Sequence, residues 1–184
     1  MAYSTTAYHT CKDEGGLTFL KQEAPFEATE EPLLSIGYYF WEFYEDDARQ
    51  WAKTSRSRFP RGYAILRCQL ELQYVLDLSH PLDIDELNDL EQSMIDSGRL
   101  PDERLPYGEL IQFLRNLDDT EIFPYDSVRM RQEPRADKRE YRPFTSNKPH
   151  QLLTNPQFII CTFEKTSPPI RNATLVYPEH YRGR

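Results

Sequence analysis

Three side chains in three separate stretches could cooperate in chemistry. His9 stands in "AYHTC", Tyr39 in "GYYFWE" and Gln157 at the start of "QFIICTFEK". Imidazole, phenol and carboxamide can each hold a polar substrate by hydrogen bonds. Each also has a plain structural use. A histidine near a chain start is commonly a surface or packing residue. Tyr38 and Tyr39 in a strand fit a sheet core or edge, and a glutamine at a strand start can cap the edge. A second set is cationic: Arg129, Arg131, Arg135, Lys138, Arg139 and Arg142 fall within fourteen residues. They could grip a phosphate-bearing ligand or a nucleic acid. Glu133, Asp137 and Glu140 dilute the run, so a solvated surface is its alternative reading. A third pairing sets Cys11 with His9 or His150 as nucleophile and base. His9 and Cys11, two apart on a strand, would share a face, but no other feature points to a hydrolase.

The elements that must position these groups are read from periodicity. "YHTC" predicts a short strand running into a turn, and Leu17, Phe19 and Leu20 a weak helix after it. "EAPFEATEEP", acidic with two prolines, predicts a loop. "IGYYFWEFY" predicts a strand, and "EDDARQWAKTS" a helix with acids in its first turn, where the helix dipole favours them. "GYAILRCQLELQYVLDLS" predicts a strand pair or one bent strand, with Ala64, Leu66, Cys68 and Leu70 alternating onto one face. A helical section around 82–118 then interrupts. Ile84, Leu87, Leu90 and Met94 recur at helical spacing before Gly98, and Leu110, Phe113, Leu114 and Leu117 recur after Pro106. The acidic run of the first of these helices reads as a solvated face. "YDSVRM" predicts a short strand, 129–151 an exposed loop, and "QFIICTFEK" and "IRNATLVYP" two closing strands. Strands at both ends with helices between predict an α+β fold in one domain spanning 1–184.

Composition narrows the function classes. Hydrophobic residues make up 39% and aromatics 13% of the 184 residues, enough for a folded core and against a disordered chain. Apolar runs are too short to span a bilayer, and "MAYSTTAYHT" has neither a basic nor an apolar leader region. The chain is therefore expected in the cytoplasm where it is made, without a membrane partner. A net charge of −8 disfavours a protein that coats nucleic acid, though not a local basic groove. Three widely spaced cysteines, Cys11, Cys68 and Cys161, form neither a disulfide framework nor a CxxC pair, so no metal site is expected.

Taken in order, these stretches resemble the ADP-ribosyltransferase superfamily, in its His-Tyr-Glu branch related to diphtheria toxin and the poly(ADP-ribose) polymerases. In that branch the first strand reads Tyr-His-Gly-Thr/Ser, against Tyr8-His9-Thr10-Cys11 here. The second reads Gly-x-Tyr-Phe and leads into a helix, against Gly37-Tyr38-Tyr39-Phe40 followed by Ala48, Trp51 and Ala52. The order "GYYFWE", "ARQWA", "LDLS", "YDSVRM" and a strand beginning with Gln is similar to a group of bacterial proteins with Gln at the third position. The resemblance covers most of the chain, and its most specific block is "GYYFWE" to "ARQWA".

The resemblance implies a split β-sheet core with peripheral helices and NAD as co-substrate. It implies catalytic roles for His9, Tyr39 and Gln157, and NAD contacts from His9, Thr10, Tyr39, Trp51 and Arg129. His9 would bond the adenosine-side ribose and the Thr10 backbone the nicotinamide amide. Tyr39, with Trp51 or else Tyr38 or Tyr44, would face the flat cationic ring. Gln157 would bond the nicotinamide ribose, and Arg129 would meet the pyrophosphate. Glu164 is the competitor for the third position. It lies seven residues on, at the wrong parity to share a face with Gln157, which matches the strand start and is preferred. Thr10, Cys11 and Gln157 depart from the family pattern, and a neutral Gln157 cannot take a proton. By family habit the resemblance implies a bacterial or phage toxin or effector, partnered by an antitoxin or immunity protein and acting on a protein or nucleic acid. The combination of departures fits mono-ADP-ribosyl transfer, transfer to an already nucleophilic group, or NAD hydrolysis. The alternative it implies is an inactive binding or interaction module.

Overall fold

The computed structural model describes residues 3–29, 32–143, 151–166 and 168–183. Strand β1 (Tyr3–Lys12) leads into helix α1 (Gly16–Glu23), and β2 (Tyr38–Glu42) into α2 (Glu45–Thr54). Then come β3 (Tyr63–Leu72), β4 (Val75–Asp77), α3 (Pro81–Asp96), α4 (Tyr107–Asn116) and β5 (Ser127–Gln132). Strands β6 (Tyr141–Pro143), β7 (Gln151–Leu153), β8 (Gln157–Thr162) and β9 (Ile170–Tyr177) complete the order. Local chemistry explains the boundaries. Glu45, Asp46 and Asp47 fill the first turn of α2, and Pro81 opens α3. After α3 the chain leaves through Gly98, whose φ of 71° suits glycine. Strand β2 stops where Phe43 takes a φ of 71°. Residues 129–151, expected as loop, instead carry the end of β5 and one side of a β6–β7 hairpin; 144–150, with His150, lie outside the described residues.

Seven strands make one sheet in the order β4-β5-β8-β2-β1-β3-β9, antiparallel except for β4 with β5. Helices and a largely antiparallel sheet give an α+β architecture. This sheet cannot be flat. Gln73 and Tyr74 alone join β3, sixth in the order, to β4, first in it, and reach at most about 11 Å. Five flat strand spacings would need about 24 Å. The sheet therefore curls, and Leu72 and Val75 pack in one cluster with Ala7, Phe40, Leu70 and Ile160 on the concave face. Fully burying a ring such as Phe40 stabilises by about 1.5–3 kcal/mol.

The register assigns every side chain to a face. Tyr8 pairs with Trp41 and Ala7 with Glu42. Ala7, His9 and Cys11 therefore share the concave face with Phe40 and Glu42, together with Ala64, Leu66, Cys68 and Leu70 of β3. Tyr8, Thr10, Tyr39, Trp41, Gln157, Ile159 and Cys161 share the convex face. Helix α1 covers one end of the concave face, where Leu20 meets Cys11, Leu66 and Leu175. Helix α2 covers the middle of the convex face through Ala48, and α3 and α4 cover its other end through Leu87, Leu110 and Leu114. All three cysteines are buried and unpaired. Cys11 Sγ donates to the Ala64 carbonyl, Cys68 Sγ to Ala7 and Cys161 Sγ to Ser35.

Candidate functional site

The β1–β2 ladder is interrupted at His9. Its rungs are Ala7↔Glu42 and Tyr8↔Trp41, and the Phe43 N–H donates to the Thr6 carbonyl at 2.9 Å. On that alternation the next rung would join the Thr10 N–H to the Tyr39 carbonyl. His9 Nδ1 takes that carbonyl instead, at 2.8 Å. The Phe26 N–H donates to His9 Nε2 at 3.1 Å, which fixes the neutral tautomer protonated at Nδ1. His9 is 4% exposed. Burial lowers its pKa to about 4, and the bond to the Tyr39 carbonyl opposes that only in part. Beyond Tyr8, β1 keeps its ladder to β3 alone. The Thr10 N–H and C=O consequently face the gap between β1 and β2.

Tyr39 is held from the other side. Its hydroxyl accepts from the Leu34 N–H at 2.8 Å and the Ser35 N–H at 3.1 Å, and donates to the Ser35 carbonyl at 2.7 Å. Burial raises its pKa beyond the usual tyrosine range. The ring packs in the convex cluster with Trp41, Ala48, Trp51 and Ile159. Trp51 meets Phe59 edge to face at 5.3 Å. The Thr10 hydroxyl donates to the Ala48 carbonyl at 3.2 Å, tying β1 to α2. Its side chain thereby points away from the gap.

At the start of β8, Gln157 Nε2 donates to Asp47 Oδ1 at 2.7 Å. Asp47 lies one turn before Trp51 on α2, so both belong to the same helix side. The structure thus brings Thr10, Tyr39 and Gln157 onto one sheet face, which α2 covers with Trp51. It adds Asp47, which the sequence presented only as one of three acids at a helix start. The His9 imidazole is not among them. Because Tyr8 pairs with Trp41, His9 falls on the face of Phe40, whose ring lies 5.6 Å away, while Tyr39 falls on the other.

Arg129 is also concave-facing. Its Nε donates to Glu42 at 2.7 Å, its NH1 to Asp77 at 2.8 Å, and its guanidinium lies 4.1 Å from the Phe158 ring centre. Glu42 has no exposed surface. Two carboxylates around one guanidinium satisfy it internally, which leaves little positive field for a pyrophosphate. Arg135 and Arg139 pair with Asp137 and Glu133, the acids that dilute the run. Glu164 is exposed beyond the far end of β8. It lines a cavity of about 430 Å³ with Arg115, Asp126 and Phe163, away from Gln157. Cys11 is no nucleophile in this fold, since burial pushes its thiol up to about 12.

No helix among the described residues is long and apolar enough to cross a membrane. Compared with known proteins, the chain matches no family model, no curated protein and no solved structure.

Proposed function

We propose that the chain is an NAD-dependent mono-ADP-ribosyltransferase with a β-sheet core split between β1 and β2. The observation that carries this reading is the interrupted ladder at Thr10. A backbone N–H and C=O side by side, released from their strand partner, are the donor and acceptor that a carboxamide needs. The nicotinamide amide supplies the complementary pair. Tyr39 and Trp51 offer aromatic faces to its cationic ring. In the step proposed, the bond from ribose C1′ to the ring nitrogen breaks, and its electron pair leaves with nicotinamide, which becomes neutral. The oxocarbenium carbon is captured by an acceptor lone pair, and the acceptor's proton passes to solvent. A neutral Gln157 suits an acceptor that needs no strong base, hence single transfer. The acceptor is a protein or a nucleic acid, and the role that of a bacterial or phage toxin or effector, acting in the cytoplasm and held by an antitoxin.

A specific observation favours a second reading, an inactive fold kept as a binding module. The polar atoms of His9 and the Tyr39 hydroxyl are already bonded within the chain. One experiment separates the two. Purified protein is incubated with NAD carrying labelled nicotinamide, with and without cell lysate, and release and binding are both measured. Release that falls in Tyr39→Ala supports the enzyme. Binding without release selects the module, and neither would overturn both.

A further inference from the structure

We propose that Asp47 is a positioning residue for Gln157, and that the pair supplies what a single carboxylate supplies at the third position of the resembling family. The inference rests on the NAD reading above. Its basis is geometric. The carboxamide is an ambiguous group, since its oxygen and nitrogen exchange places by a flip. Asp47 removes the ambiguity: a carboxylate accepts only, so the NH₂ end of Gln157 must face it. Gln157 Oε1 then points away from Asp47 as a fixed acceptor for a sugar hydroxyl. The anionic charge is retained, moved from β8 to the first turn of α2, next to the site of a developing oxocarbenium ion.

A helix-dipole role alone does not account for Asp47. Glu45, in the same turn, is engaged by Arg49 and Arg182, and Asp46 is exposed. Asp47 alone of the three reaches the sheet, and it is half-buried. Gln157 from β8 and Asp46 on its own helix are the polar groups that act on it. Of the convex residues on the strands beside α2, Tyr8 of β1, Trp41 of β2 and Ile65 and Tyr63 of β3 carry no carboxylate or cationic group, and Arg67, opposite Tyr8 on β3, is exposed. Arg56 and Arg58 are exposed beyond the far end of the helix. Burial raises the pKa of Asp47, and the Gln157 bond opposes that.

The test is nicotinamide release from NAD against pH for four proteins: wild type, Asp47→Asn, Gln157→Glu and the double variant. The double variant keeps the hydrogen bond with donor and acceptor exchanged. In wild type, rate falls on the acid side as Asp47 takes a proton. In Asp47→Asn, kcat drops about tenfold or more with KM nearly unchanged, and that acid limb disappears. Gln157→Glu alone sets two carboxylates together and moves the limb to higher pH. The double variant recovers most of the rate. Amide proton resonances of Gln157 that follow Asp47 ionisation in wild type, and are flat in Asp47→Asn, report the contact without activity. Wild-type kcat and an unchanged acid limb in Asp47→Asn would overturn the proposal while leaving the NAD reading intact. No release by wild type would overturn both.

Discussion

Acidification should destabilise this fold through His9 in particular. The imidazole is buried and neutral, donating through Nδ1 and accepting at Nε2. Its pKa falls from 6.5 to about 4, mainly through burial. In the unfolded chain His9 binds a proton as pH drops through 6.5, whereas the folded chain resists until about 4. Stability from this group is therefore complete above about 6.5 and drains away as pH falls towards 4. At about 1.4 kcal/mol per tenfold change in proton affinity, the drop is worth about 3 kcal/mol. Protonation would also turn Nε2 into a donor facing the Phe26 N–H, two donors with no acceptor between them. The assay is urea unfolding of wild type and His9→Asn at constant ionic strength from pH 7 to 4. Groups common to both cancel in the difference, so wild type should lose about 3 kcal/mol more than the variant. Equal losses, or an imidazole titrating near 6.5 by NMR in the folded protein, would refute the argument.

Arg129→Met takes the guanidinium from a carboxylate with no exposure. It should cost about 3–5 kcal/mol by denaturant midpoint, and Glu42→Gln in the same chain should recover part of that. An unchanged midpoint would show that the triad contributes nothing to stability. Tyr39→Phe removes the acceptor shared by the Leu34 and Ser35 amides, at a cost of about 1–3 kcal/mol. Hydrogen exchange at those two amides should accelerate, and exchange at the wild-type rate would count against the contact.

Periodic parts of the fold were legible in the chain. Ala64, Leu66, Cys68 and Leu70 do share one buried face, and the two helices expected around Leu87 and Leu110 are present. The pairing partner of each strand was not legible. Which face His9 occupies relative to Tyr39 depends on one rung, Tyr8 with Trp41, and a slip of one residue would reverse it. No local pattern encodes that rung. The bond between Asp47 and Gln157 joins residues 110 apart, so the first-turn acids of α2 looked interchangeable until the sheet was assembled. The β6–β7 pair has no sequence signature because each strand is only three residues, Tyr141-Arg142-Pro143 and Gln151-Leu152-Leu153, too short to show alternation.

The three cysteines have a use that their burial creates. Each thiol is pushed up to about 12 and is inert while its surroundings stay closed. Cys68 sits inside the curl of the sheet, Cys11 beneath α1 and Cys161 beneath the α3–α4 side. A thiol-modifying reagent can therefore capture each only when its own cluster opens. The chain carries three native clocks, one in each of three core clusters, that time local openings separately from global unfolding.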